Sequence, residues 1–329
     1  MATTRSPRQG SLQFWPRVRA KRSYARVRNA PAVKDCKMLG FSGYKVGMSH
    51  MMVVDNYKNS STKGEEICVP ITIVECPPIK IASVRFYKKG PTLRLVKEIR
   101  AKLDKEAERK IIGSKKETDP AKELEAIDAK DFTEVRIMVY TQPKFTGIKK
   151  KPEMFELRMG GSVEEKLAYA KQNIGKDIRI SDVYKEGDQV DVHAITKGKG
   201  FQGAVRKFGI SLRQKKSEKS TRNPGSLGPW CAQAHIMWRV AHSGKMGFHQ
   251  RTEYNKRIAK ISADATEVSQ EGGITHYGTV KNDYVLLEGS VPGPKKRLII
   301  FTPSIRPTPK KTKEVPNIVY ISKSSKQGR

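Results

Sequence analysis

The stretch QVDVHAITKGKGFQGAVRKFG, residues 189–209, can be read in two ways that lead to different architectures. Residues 189–196 are β-branched and partly alternating, the pattern of a strand. Gly198, Gly200 and Gly203 follow at the G-x-G-x-x-G spacing of a dinucleotide-binding turn. A dinucleotide site also needs a helix whose N-terminus receives the pyrophosphate, and an acidic residue about 20 positions on for the ribose. Here GAVRKFGI is stopped by Gly209 and is too short for the crossover helix. Glu218 has the right separation from Gly198 but sits in KKSEKS, which cannot end a buried strand. An NAD-binding enzyme using Gly198, Gly200 and Gly203 is therefore the minor alternative.

The other reading takes the glycines as places where backbone approaches phosphate closely, with Lys197, Lys199, Arg206 and Lys207 neutralising it. A mobile surface loop is the plain alternative. Charge elsewhere in the chain favours the phosphates. The 329 residues carry a formal net charge of +32, concentrated in three places. Residues 1–34 hold nine Lys or Arg and no acid, and residues 197–260 hold fifteen against Glu218 and Glu253. Residues 293–329 hold ten against Glu314, which leaves the other 194 residues close to neutral. Soluble proteins ordinarily intersperse both signs over their surface. A near-neutral body with three cationic segments calls for a polyanion, with nucleic acid ahead of an anionic membrane surface. Aromatic residues lie among the cations: Phe14, Trp15 and Tyr24, then Phe201, Phe208, Trp230, Trp238 and Phe248. Their faces can stack on bases while Lys and Arg hold phosphates.

Outward from this stretch the body reads mainly as strands. Residues 67–75, 80–87 and 134–141 are β-branched and bounded by Pro or Gly, and DYVLLEGSV and RLIIFTP repeat the pattern around the turn PGPKK. Many short strands without βαβ alternation predict a closed or partly closed barrel. Residues 93–130, rich in Lys, Glu, Ala and Leu, predict one or two solvated helices. Residues 162–174 predict a clearer helix, with Ser162 and Glu165 as a capping box and Leu167, Ala170 and Ile174 on one face. Residues 197–262 lack sustained periodicity and predict an extension ordered by its partner.

Other chemistries find little support. His235, His242 and His249 fall seven apart, too far along a helix to share one ion. His193 alternates within a strand and reads as a packed core histidine. Cys36, Cys68, Cys76 and Cys231 form no C-x-x-C pair and read as reduced, buried thiols. No acid–base pair or nucleophile stands out, so no enzyme, cofactor or metal is expected. No apolar run is long enough to span a bilayer. The N-terminus has no secretory h-region, although its Arg-rich composition resembles a transit peptide.

VDVHAITKGKGFQGAVRKFG closely resembles the large-subunit ribosomal protein L-three family. QGSLQFWPRVRA is similar to its N-terminal extension, GFSGYKVGMSHMMVVDN to its first strands and MGFHQRTEYNKRI to the return arm of its central extension. HYGTVKNDYVLLEGSVPGPKKRLI is similar to its closing strands. The resemblance spans nearly the whole chain in order, and the lack of a long C-terminal domain points to an archaeal-type member. It implies a mainly β fold: a split β-barrel of the translation-protein type with a helical insertion and long basic extensions. The implied division is a basic N-terminal extension (1–34), barrel strands (35–92), an α-rich insertion with an added strand (93–185) and a barrel strand (186–196). A central basic finger (197–262), closing barrel strands (263–305) and a basic C-terminal tail (306–329) complete it.

The implied function is structural: binding large-subunit rRNA near the sarcin–ricin and peptidyl transferase regions, beside neighbouring large-subunit proteins, in cytoplasmic ribosomes. No membrane and no homo-oligomer are expected, and a free-standing RNA chaperone is the alternative. The rRNA-binding residues expected are Arg8, Arg17, Arg19, Lys21 and Arg22 in the N-terminal extension. In the finger they are Lys197, Lys199, Arg206, Lys207, Arg213, Lys215, Lys216, Arg222, Trp230, Trp238, Arg239, Lys245, His249, Arg251, Lys256 and Arg257, with Gly198, Gly200 and Gly203 for backbone approach. Trp238 in HIMW matches the family's fingertip tryptophan, with Trp230 as runner-up. Two departures stand out. Relatives commonly read W-H-P-A, with a His that can be methylated in eukaryotes, where this chain has Trp230, Cys231, Ala232 and Gln233. Val18 stands where relatives usually carry lysine.

Overall fold

The computed structural model describes residues 9–57, 59–111, 119–216, 219–228, 236–309 and 314–325. The chain forms two compact units, a smaller one of Met1–Arg22 and Ile195–Gln250 and a larger one of Ser23–Ala194 and Arg251–Arg329. Its strands begin with β1 (Phe41–Val54), β2 (Glu66–Glu75), β3 (Ile79–Lys89), β4 (Leu93–Arg100) and β5 (Glu134–Thr141). Next come β6 (Met154–Arg158), β7 (Asp177–Ile178), β8 (Gln189–Ile195), β9 (Phe201–Gln202) and β10 (Gly244–Lys245). The last are β11 (Gln250–Ser262), β12 (Tyr284–Glu288), β13 (Leu298–Pro303) and β14 (Ile318–Ile321). The α-helices are α1 (Lys105–Glu108), α2 (Pro120–Glu125), α3 (Val163–Asn173) and α4 (Ala204–Phe208).

One sheet runs β13-β8-β11-β12-β2-β1-β14 and closes into a ring of six strands, because β13 also pairs with β1. Strand β1 is long enough to serve three partners. Its residues 41–44 pair with β13 and its residues 51–53 with β14, while most of its length pairs with β2. A closed ring leaves no unpaired strand edge, which a short-stranded β-protein must otherwise cover. Several of the ring's strands are buried on both faces over much of their length. In β12, Val285 and Leu287 join the main core with Phe41, Tyr44 and Phe301, whereas Tyr284 and Leu286 face a second core with Val46, Met51, Ile71 and Ile73. Burial on both faces is why these strands read as continuous apolar runs instead of clean alternation.

The second sheet, β4-β3-β5-β6 with β7 on β3, changes the organisation expected for residues 35–185. Strand β3 belongs to this sheet and not to the ring, and residues 93–185 contribute four strands as well as helices. Residues 93–100, expected to be helical, form the edge strand β4. Their Lys- and Glu-rich composition carries helix propensity, but pairing with β3 overrides it, from Ser83↔Arg100 to Lys89↔Leu93. Ion pairs run across the sheet, Arg85 to Glu98 (3.2 Å) and to Glu156 (3.2 Å), and Arg136 to Glu134 (2.9 Å) and Glu156 (3.0 Å). Helix α3 matches its expectation. The Ser162 hydroxyl accepts from the Glu165 N–H (3.2 Å), Glu165 accepts from the Ser162 N–H (2.9 Å), and Leu167 and Ala170 are buried.

Two further segments depart from the sequence reading. Residues 250–262, expected in an irregular finger, form β11, one of the longest strands of the ring. In the tail, residues 318–321 form β14 on β1. Basic residues on these segments hid strands whose partners lie far away in sequence. Of the described cysteines, Cys76 is buried and Cys36 half-buried, but Cys68 is exposed, contrary to expectation.

His193, 7% exposed, sits where strand alternation placed a core histidine. Its ring nitrogens lie 2.9 Å from Thr252 Oγ1 and 2.9 Å from Thr302 Oγ1, one threonine on each flanking strand. Burial lowers its pKa, with nearby Asp191 opposing the shift. The unfolded chain therefore takes up this proton at higher pH than the folded one. Stability is full above about pH 6.5 and declines as pH falls through the window between the unfolded and folded values. His193→Asn should remove that part of the decline, measured as the urea midpoint between about pH 7.5 and 5.

The strand β11 sets where the basic segment can be cut. Its Thr252 bonds His193, and the Asn255 N–H donates to the buried carboxylate of Asp191 (2.9 Å). Excising residues 199–248 should leave one cooperative thermal transition, whereas excising 199–256 should lower or abolish it. Each buried polar group left unpaired costs about 1–3 kcal/mol.

Candidate nucleic-acid interface

The chain leaves the ring at Ile195 and returns at Gln250, and Lys197 and Lys199 are exposed just beyond the exit. The outgoing and returning segments are zipped together. The Lys199 N–H donates to the Met246 carbonyl (2.9 Å), the Met246 N–H donates to the Gly200 carbonyl (2.8 Å), and β9 pairs antiparallel with β10. Gly200 turns through φ +70°. Across from it Gly247, at φ +76°, has no room for a side chain, because a Cβ would collide with the Lys197 carbonyl oxygen. Gly198 and Gly203 have ordinary negative-side geometry; Gly203 caps α4, and open space surrounds the Cα of both Gly200 and Gly203.

Helix α4 spans five residues and ends at Gly209 in the left-handed region, φ +68°. Strand β8 feeds an antiparallel pairing with β13. Neither the long crossover helix nor the parallel sheet of a dinucleotide fold is present in this segment.

An aromatic cluster holds the N-terminal segment onto α4. Phe208, 7% exposed, stacks on Trp15 with ring centroids 5.3 Å apart, and Trp238 meets Trp15 edge-on at 6.0 Å. Arg17 lies 4.4 Å from the Phe208 centroid and donates to the Lys207 carbonyl (2.9 Å). Partial burial lowers the Arg17 pKa, and it lowers that of Lys207, where Arg17 adds repulsion. A second anchor is His249, whose Nδ1 lies 2.8 Å from the Val18 carbonyl oxygen while the Ala20 N–H donates to the Phe248 carbonyl (2.8 Å).

These contacts divide the residues expected to meet RNA. Arg19, Lys21, Arg22, Lys197, Lys199, Arg206, Lys215, Lys216, Arg222, Arg239 and Lys245 are exposed, as is Trp238 at 69%. Arg17, Lys207 and Arg213 are half-buried, with Arg213 donating to the Pro224 carbonyl (2.9 Å). Phe208 and His249 are interior and build the unit instead of facing outward. Arg257 needs the firmest correction. It is 4% exposed on β11, ion-paired with Glu288 at 3.1 Å and donating to the Glu314 carbonyl, so a strand position in the ring has claimed it. Lys256 is half-buried and pairs with Glu253 (2.8 Å), and Arg251 is half-buried. Arg8, Trp230, Cys231 and His235 lie outside the described residues.

Composition reduces the smaller unit to one electrostatic fact. Its 78 residues contain seventeen Lys or Arg and a single acid, Glu218, so it holds half of the net charge of +32. The sequence did not reveal that Trp15 and Phe208 are partners, or that Gly247 is sterically required. The available signal for the first was Phe208 in the last turn before a helix-ending glycine, where apolar contacts often accompany the cap. Phe208→Ala should loosen the unit by about 3 kcal/mol, the low end for a buried Phe→Ala change. Hydrogen exchange should then accelerate at residues 200–209 and 244–249 while the amides of β12 keep their protection.

The family model for Ribosomal protein L3 matches residues 1–328. The chain is similar to a protein of Archaeoglobus fulgidus named large ribosomal subunit protein uL3, 48% identical, with 98% of each chain covered. It is 43% identical to the protein of the same name from Methanopyrus kandleri, covering 98% of this chain and 91% of that one. With the Methanocaldococcus jannaschii protein the identity is 45%, over 98% of both.

Proposed function

Since the chain belongs to the ribosomal protein L3 family, of the archaeal type, we propose that it is a structural component of the large ribosomal subunit that binds large-subunit rRNA. The family is one of structural ribosomal proteins and not of enzymes. The observation that carries the reading is the charge of the smaller unit, seventeen cations against one acid. Internal ion pairs cannot neutralise such a unit, whereas phosphates can.

The exposed cations Arg19, Lys21, Arg22, Lys197, Lys199, Arg206, Lys215, Lys216, Arg222, Arg239 and Lys245 contact backbone phosphates. Gly200 and Gly203 let RNA approach the main chain, and Gly198 lies on the same loop. The exposed ring of Trp238 stacks on a base, and the unit that carries it reaches toward the peptidyl transferase region. Arg17, Lys207, Arg213 and His249 position these groups. Arg251 and Lys256 serve as a lesser contact set at the return strand, and Arg8 and Trp230 remain part of the proposal. The larger unit anchors the whole beside other proteins of the subunit.

Binding of the full chain to a large-subunit rRNA transcript should weaken steeply with salt, with a log–log slope of roughly −0.7 to −0.9 per phosphate contacted. Lys199→Gln should flatten that slope by about one contact without changing the unfolding midpoint. Arg257→Gln should do the reverse, because removing one partner of a buried ion pair costs about 3–5 kcal/mol of stability. A slope insensitive to Lys199→Gln would remove this residue from the interface. Binding indifferent to salt would overturn the electrostatic account, and a protein that leaves large subunits in a high-salt wash would favour a free RNA chaperone.

A further inference from the structure

The smaller unit contains a cleft of about 240 Å³ lined by Arg19, Gly200, Phe201, Lys245, Gly247 and Phe248, among others. Its size is informative. Pockets that enclose a drug-sized ligand run to roughly 300–1,000 Å³, so this one is too small for a dinucleotide and suits a single flat ring.

Its lining is not that of a core. Phe201 is 72% exposed although it sits on a paired strand, β9. A single exposed apolar residue is ordinary, but this ring sits on a paired backbone and lines a cleft together with two cations. Arg19 and Lys245 are exposed beside it, and the Arg19 guanidinium lies 5.6 Å from the Phe248 ring centroid. The backbone is strained at the same place. Phe248 has φ +55°, directly after Gly247 at φ +76°. A non-glycine residue is rarely held in the left-handed region, and such residues gather at functional sites. Here the strain is held by the Ala20 N–H donating to the Phe248 carbonyl and by the Thr196 hydroxyl accepting from the His249 N–H (3.1 Å).

We propose that this cleft receives one unpaired nucleobase of single-stranded RNA, stacked on Phe201, with its flanking phosphates held by Arg19 and Lys245. The proposal rests on the rRNA-binding reading above and adds the form of RNA that is read. Every base offers a π-face to an aromatic ring, and the cations on either side match the phosphates that must accompany it. A base inside an A-form duplex has both faces covered by its stacked neighbours, so only a nucleotide splayed out of the helix can enter.

The test compares the full chain bound to single-stranded oligoadenylate and to an abasic ribose-phosphate oligomer of equal length, at one fixed salt concentration. Wild type should favour the base-bearing oligomer by about 5- to 150-fold, the range expected for one base stacked on an aromatic ring. Phe201→Ala should cut that preference to the part that the exposed Trp238 ring supplies and leave abasic binding unchanged, and Phe201→Trp should restore it. Lys245→Gln should weaken both oligomers alike. The Phe201 ring is largely in water, so an unchanged thermal midpoint should confirm that the variant folds. Equal binding of the two oligomers by wild type, no binding of either, or a preference undiminished by Phe201→Ala would each overturn the proposal. So would adenosine monophosphate binding as tightly as the oligomer, since the occupant would then be a free nucleotide. Retained rRNA binding by Phe201→Ala with no change in base preference would sink the cleft alone, while loss of salt-sensitive rRNA binding in wild type would sink the broader reading.

Discussion

Seventeen positive charges and one negative charge in 78 residues cannot be neutralised from within, and the organisation of this protein follows from that constraint. Mutual repulsion works against compaction, so a unit of this kind needs strong local fastening if it is to present a defined surface. The fastenings are apolar and main-chain in character. They are the Trp15–Phe208 stack, the zipper of β9 and β10, and the turn in which Gly247 passes against the Lys197 carbonyl. Even the cations inside the cluster are held by rings and carbonyls, since Arg17 leans on Phe208 and donates to Lys207. The side chains left in water are therefore those that a polyanion can reach.

The larger unit answers the opposite problem. Its 48 Lys or Arg face 32 Asp or Glu, so the same net charge of +16 is spread over 251 residues and much of it can pair internally, and several of its buried polar groups are held by specific partners. The buried carboxylate of Glu75 accepts from the main-chain N–H groups of Lys281 and Asn282 (both 2.9 Å), from the Asn282 side chain, and from the Tyr277 hydroxyl. His193 finds a threonine on each side, and Arg257 finds Glu288. A closed ring with these interior polar groups paired makes a firm scaffold. Aromatic side chains divide in the same way, with Phe208 and Trp15 spent on structure and Phe201 and Trp238 left facing solvent.

Much of this was legible in the sequence. The strand before the glycines, the capped helix at Ser162, the core histidine and the failure of the dinucleotide fingerprint all rest on local rules, and local rules held. The misreadings share one cause. Residues 93–100 have the composition of a helix and 250–262 that of a basic linker, and both became strands because a distant partner offered its edge. Arg257 belonged by composition to the basic finger, but its place on a ring strand turned it toward Glu288. Charge alone does not say which way a side chain points.

The sequence by itself determined the class of partner, because net charge and its clustering do not depend on conformation. It also determined the β character of the body and the stop at Gly209, which depend on neighbours within a few residues. Only the tertiary structure decided that β13 closes the ring on β1, and which cations are spoken for. It alone brought Arg19 and Phe248 to one cleft with Phe201 and Lys245. Those outcomes join residues tens to hundreds of positions apart, and their energy comes from burial and pairing that no local pattern encodes.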